Sequence, residues 1–251
     1  MRAMTDGAFD ARVAARYDRD VAERFEPEQL ARTVDVLATL ADGRPVLEFA
    51  IGTGRVALPL AARGVEVHGI ELSNAMFAEL RKKAGGDEIP VTIGDMATTH
   101  VASSTTDGMF GLVVLVFNTI TNLLTQAEQV ACFRNAAAHL GPGGHFLIET
   151  GIPRVRQLAC GERFLPFEVT PDHLGIDEYD LVAQRLVSHH YWIADGDAAT
   201  FESHHRYAWP AEYDLMAELA GMTLTHRWAD WSRTSLTAES ESHISVWSTA
   251  T

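Results

Sequence analysis

Three carboxylates stand where apolar runs end. Glu48 lies within Val46-Leu47-Glu48-Phe49, Glu71 follows the run Val65 to Ile70, and Asp95 follows Pro90 to Ile93 in Gly94-Asp95-Met96. Between the first two runs, Ala50-Ile51-Gly52-Thr53-Gly54-Arg55 reads as a glycine-containing turn that opens a helix. Glycine lets backbone approach a ligand closely, and a helix N-terminus favours an anionic group. In open parallel sheets, ligands bind just beyond the carboxyl ends of strands. Glu71 comes 17 residues after Gly54, where it could accept hydrogen bonds from both hydroxyls of a ribose. The stretch Gly52 to Ala57 also fits the GxGxxA pattern of dinucleotide sites, so the loop alone leaves an NAD-dependent oxidoreductase open.

The elements that position these groups follow from hydrophobic periodicity. Two helices precede Leu40: Val13, Tyr17 and Val21 share one face, Leu30, Val34, Leu37 and Leu40 another, and Pro27 stands at the second start. Then short apolar runs alternate with amphipathic ones: strands at Val46 to Phe49, Val65 to Ile70, Pro90 to Ile93, Phe110 to Phe117 and His145 to Glu149. Helices fall at Val56 to Ala62, Ala75 to Lys83 and Gln126 to Leu140, the last closed by Gly141-Pro142-Gly143-Gly144. That rhythm predicts a parallel sheet covered on both faces. After Thr150 it breaks. Leu181 to Ile193 and Thr200 to Tyr207 read as a hairpin about Asp195-Gly196-Asp197. Pro210 to Ala220 reads as a helix, and Thr223 to Trp228 and His243 to Trp247 as two late strands. The expected fold is α/β and Rossmann-like: a seven-stranded, mostly parallel sheet with one antiparallel strand, plus an inserted antiparallel β cap. Residues 1–251 read as one domain, with a helical lid over 8–41 and the cap over about 155–209.

Composition narrows the function. Twenty basic against 34 acidic residues give a formal charge of −14, which disfavours nucleic acid or an anionic membrane as partner. Cys132 and Cys160 are too few for a disulfide framework or a cysteine zinc site, and no metal motif occurs. The opening MRAMTDGAFD lacks the apolar core of a signal peptide, and no apolar run would span a bilayer, so a cytoplasmic location is expected.

Glu48 separates the ligand readings. A carboxylate inside the strand before the loop would repel a pyrophosphate and attract an ammonium group. Gly94-Asp95-Met96 offers an acceptor for an exocyclic amine and a backbone N–H for a ring nitrogen. With these residues, the chain resembles the class I S-adenosylmethionine-dependent methyltransferases of small-molecule type, and is similar to actinobacterial amino-sugar N-methyltransferases. The similarity runs from about Tyr17 to Trp247 and is densest from Val46 to Met96. It implies S-adenosylmethionine as cofactor, with Gly52, Thr53 and Gly54 around its methionine part. Glu48 would anchor the ammonium and Glu71 hold the ribose. Leu72 and Met76 would flank the adenine, with Asp95 at its amine and Met96 beside its ring. Ala50 stands where the family usually has its first glycine. Val116-Phe117-Asn118-Thr119 would face the methyl group, and Tyr17 would cover it.

Methyl transfer from a sulfonium is an in-line displacement whose leaving group is already activated, so alignment and exclusion of water are the main needs. Tyr17 and Asn118 are the expected orienting groups. His189 or His190 on the hairpin is the expected base, with His204 and His205 as further bases there. Thr119, Glu149, Tyr191, His205 and Tyr207 are the expected acceptor contacts, with Trp192 and Trp209 completing an aromatic wall. The expected acceptor is a small molecule methylated on nitrogen or oxygen, and the resemblance admits a homodimer. A module that binds the cofactor without turnover and an RNA methyltransferase are rival readings.

Overall fold

The computed structural model describes residues 9–21, 26–194 and 197–250. The opening segment and the Asp195-Gly196 turn lie outside the described residues. Helix α1 (Ala11–Asp20) starts at Asp10, whose side chain accepts from the Arg12 and Val13 amides. Helix α2 (Pro27–Ala41) opens on proline and stops at Asp42, which adopts a left-handed conformation. The alternation continues through β1 (Val46–Phe49), α3 (Ala57–Ala61), β2 (Val67–Glu71), α4 (Asn74–Arg81), β3 (Val91–Ile93) and β4 (Phe110–Leu115). Helix α5 (Gln126–His139), held at its start by a Thr125–Glu128 capping box, leads into β5 (Leu140–Gly151). Then come β6 (Phe164–Val169), β7 (His173–Asp180), β8 (Arg185–Ala194), β9 (Asp197–Arg206), α6 (Pro210–Leu219), β10 (Met222–Trp228) and β11 (Ser242–Thr249).

Seven strands form one sheet in the order β10-β11-β5-β4-β1-β2-β3. Strand β11 runs antiparallel to both its neighbours, and the β1–β5 pairings are parallel. Alternate residues of the central strands enter two separate cores, as a sheet buried on both faces requires. Leu47, Phe49, Val113, Leu115, Phe146 and Ile148 pack with Phe133 of α5 and Tyr213 of α6. Val46, Leu112, Val114 and Leu147 pack with Leu37 of α2, Leu60 of α3 and Leu80 of α4. The carboxyl ends of β1 to β5 therefore share one edge, where the loops with chemistry gather.

Two expectations change. The run Gly141-Pro142-Gly143-Gly144 belongs to β5, where Leu140 pairs with Phe110 across a register shift. The hairpin β8–β9 has the expected antiparallel register, but it is half of a four-stranded sheet, β6-β7-β8-β9. Among the described residues, no helix is long and apolar enough to cross a membrane.

Candidate active site

The turn after β1 needs unusual backbone. Ala50, Gly52 and Gly54 all have positive φ, at 51°, 58° and 81°. A Cβ on Gly54 would lie 2.4 Å from Leu80 Cδ1, so glycine is required by contact as well as by conformation. Ala50 occupies a left-handed position that costs an alanine about 1–2 kcal/mol. Ala50→Gly relieves this but adds unfolded-state freedom, so a stability gain of about 0.5–1 kcal/mol with unchanged cofactor affinity is expected from denaturant melts and calorimetry.

Two carboxylates meet this turn. Glu71 accepts from the Gly52 amide through Oε2 and from the Ser73 amide through Oε1, both at 2.8 Å. These bonds fix loop against strand. Glu48 is 4% exposed, and its Oε2 has no hydrogen-bond partner. Burial pushes its pKa up to about 8, opposed by Arg55 and reinforced by Glu71. A buried carboxyl oxygen with no partner among the described residues, beside a glycine turn, suits a cationic donor.

Further along the edge, Leu72 is half-buried, Met76 lies beneath Gly52, and Met96 is buried. Asp95 is half-buried and accepts from the Ala97 amide at 2.8 Å; Asn135 holds the Met96 carbonyl, also at 2.8 Å. Helix α1 is tied over the loop. Thr53 Oγ1 donates to Asp18 at 2.5 Å, Lys83 pairs with Asp18 and donates to the Thr53 carbonyl, and Ser73 Oγ donates to the Phe9 carbonyl. Tyr17 thereby stands edge-on to Phe117, with centroids 6.4 Å apart, and the Arg55 guanidinium lies 5.1 Å from the Phe117 ring.

After β4, Phe117 and Asn118 both take positive φ, 62° and 59°. Glu149 holds this bend: it accepts from the Phe117 amide at 3.0 Å and from Trp231 Nε1 at 2.8 Å. Asn118 Oδ1 accepts from Thr150 Oγ1 and the Gly151 amide, and Thr119 Oγ1 donates to the Val116 carbonyl. The polar atoms of Glu149 and Thr119 thus fix the local backbone.

The four-stranded sheet sorts the remaining candidates by face. His205 bonds Thr121 Oγ1 through Nδ1 and Ser203 Oγ through Nε2, each at 3.0 Å. Its face is therefore the inner one, over the turn that follows β4. Strand alternation and register place His190, Trp192 and Tyr179 on that face too. His189 sits between Glu178 and Glu202 on the opposite face, with Tyr191 and His204. Burial lowers the pKa of His205 to about 4 and that of His190 in the same direction, so both rings are neutral. Tyr207 is buried beside Tyr179, centroids 5.8 Å apart, and Trp209 is exposed before α6. Sequence reasoning missed Asp18 and Lys83, which only packing brings to Thr53. It also missed the inner-face residues of β7, in a stretch with no assigned element.

Comparison with known proteins decides the family. The CcbJ methyltransferase of Streptomyces caelestis is 34% identical, with 98% of this chain and 100% of that chain covered at a TM-score of 0.83. The chain belongs to the S-adenosylmethionine-dependent methyltransferases. A methyltransferase domain profile matches residues 46–144 of the methyltransferase. A cypemycin N-terminal methyltransferase from a Streptomyces species is 29% identical over 189 residues, covering 73% of this chain and 74% of that protein. The dTDP-4-amino-2,3,4,6-tetradeoxy-D-glucose N,N-dimethyltransferase of Saccharopolyspora spinosa is 30% identical over 141 residues, covering 56% and 52%. The methyltransferase's glycine loop and the three carboxylates fall inside the matched profile; its four-stranded sheet falls outside.

Proposed function

We propose that this methyltransferase methylates a nitrogen atom of a small-molecule acceptor enclosed beneath the β6–β9 sheet. The carrying observation is the docking of that sheet on the carboxyl edge: His205 reaches Thr121 after β4, and the Tyr179 hydroxyl faces the Arg154 backbone amide after β5. A lid over 8–41 and a cap over about 155–209, within one domain, complete the reading. Such a roof suits a discrete metabolite. The amino-sugar relative is by name an N,N-dimethyltransferase, which acts on nitrogen.

The residues fit the cofactor. The open oxygen of Glu48, beside the Ala50–Gly54 turn, suits the ammonium of its amino-acid tail. The Glu71 carboxylate, fixed at the end of β2, would accept from the ribose hydroxyls. Asp95 would accept from the adenine amine, with Leu72, Met76 and Met96 about the ring. Bound there, the cofactor supplies a methyl carbon on a sulfonium, an activated leaving group. Tyr17, Phe117 and Asn118 would enclose the reacting end and exclude water. An amine needs only to be unprotonated to attack, which suits an inner face on which the buried His205 is neutral and hydrogen-bonded.

Methyl-labelled cofactor offered with matched pairs of amines and alcohols, including amino sugars and their hydroxy counterparts, tests this. Label is expected on the amine of one or more pairs and on none of the alcohols. Label carried only to hydroxyl oxygen would overturn the nitrogen assignment.

A further inference from the structure

One carboxylate beneath the cap has no part in the scheme above. Asp177 of β7 is 7% exposed, and burial raises its pKa, against Ser188, Arg154 and His189. Its Oδ1 accepts from Ser188 Oγ at 2.6 Å, while its Oδ2 takes no hydrogen bond from any described residue. Register extends the feature across three strands: Asp177 pairs with Ser188, and Ser188 with Ser203. This polar row lies on the inner face, one step along the strands from His205 and Tyr179. On its other side, His190 stacks on His173 at 5.2 Å and 5° and on Trp192 at 5.2 Å and 11°, with Phe167 at its edge.

The protons of the row can be followed. Thr121 gives its hydroxyl proton to the Asn118 carbonyl, so it accepts from His205, whose Nδ1 carries hydrogen in this network. His205 Nε2 then accepts from Ser203. Ser188 likewise spends its proton on Asp177. Every hydrogen of the row is committed, and what remains open is a carboxylate oxygen with hydroxyl lone pairs. Such a surface recognises a donor that carries positive charge.

We infer that Asp177, Ser188 and Ser203 form the subsite for a protonated basic nitrogen of the acceptor, with the His173–His190–Trp192 stack lying against the adjoining part of that molecule. The inference rests on the nitrogen-acceptor reading and narrows the acceptor to an amine, bound protonated and methylated only after that proton passes to the Asp177 carboxylate, joined to a flat or apolar body.

Benzylamine and benzyl alcohol, titrated into protein saturated with S-adenosylhomocysteine, probe the subsite. The wild type is expected to bind the amine at least about tenfold more tightly than the alcohol. Asp177→Asn should reduce that preference to about twofold or less, with affinity for S-adenosylhomocysteine unchanged. Ser203→Ala, a milder change, should reduce it several-fold and serves if Asp177→Asn does not fold. No amine preference in the wild type, or full preference in the variants, overturns the inference. Binding preference is read without turnover, so the two readings fail separately. Methylation of amines without an Asp177-dependent preference sinks only the subsite; preference with methyl transfer to oxygen sinks only the nitrogen assignment.

Discussion

Glu48→Gln is expected to weaken binding of S-adenosylmethionine and S-adenosylhomocysteine by about 10–100-fold while leaving the fold at least as stable. A hydrogen bond to a charged partner contributes about 1.5–3 kcal/mol, which sets that range. In the free protein the same carboxyl group is a liability, since it is buried with one oxygen unpaired. The native group titrates near 8, whereas the unfolded chain releases this proton near 4.5. Between those values the native state holds the extra proton, so raising the pH favours unfolding, by at most about 1.4 kcal/mol per pH unit. Denaturant melts between pH 5 and 8 should show this slope in the wild type and its loss in Glu48→Gln. Calorimetry with S-adenosylhomocysteine reads the affinity. An unaltered dissociation constant in the variant removes Glu48 from the binding scheme.

Arg206→Ala is expected to destabilise the protein by about 3–5 kcal/mol, the cost of stranding buried polar partners. Arg206 ends β9 with its side chain 6% exposed. Its guanidinium donates to Gln129 of α5, to Gln184 before β8 and to Glu212 of α6. Gln129 returns a bond to the Arg206 carbonyl at 3.0 Å, and Gln126 and Gln184 both donate to Glu212. One side chain thus fastens the end of the cap to two helices of the main domain. Burial alone would raise the Glu212 pKa, but the bonds from Arg206, Gln184 and Gln126 outweigh it and hold it below its ordinary value. Its contribution is therefore complete above pH 4.5 and fades on acidification below that. Denaturation midpoints for the variant, and for Arg206→Met combined with Glu212→Gln, provide the check. The double variant should lose less than Arg206→Ala, because no charge is left stranded. An Arg206→Ala loss below about 1 kcal/mol would show that the network carries little of the docking.

The half of the molecule up to β5 was legible because its signals are local. Val46 to Phe49 and Phe110 to Leu115 are short apolar runs, and Gly52 and Gly54 mark the turn that backbone geometry demands. Glu48 was readable because a carboxylate in an apolar strand conflicts with its neighbours. The cap was read only in part. Strand β6 carries Pro166 and a register shift, and β7 mixes Gly175, Asp177 and Glu178 among its apolar positions, so neither announces itself by alternation. Gly141 to Gly144 read as a stop because the run carries almost no side-chain pattern; the pairing of the flanking Leu140 and His145 with β4 carries β5 through it. Which histidine of each pair turns inward depends on the contact of His205 with Thr121, between residues 84 positions apart.

The four-stranded sheet enters the chain as a single uninterrupted insert, leaving after β5 and returning at α6. Both points of attachment sit on the same rigid framework, so the insert is in effect a replaceable cassette. On the reading that the acceptor lies beneath it, drift within the insert would retune which molecule is modified while the loops that follow β1 to β3 stay fixed. A plan of this kind lets the acceptor change through the segment between β5 and α6 rather than through the sheet that carries it.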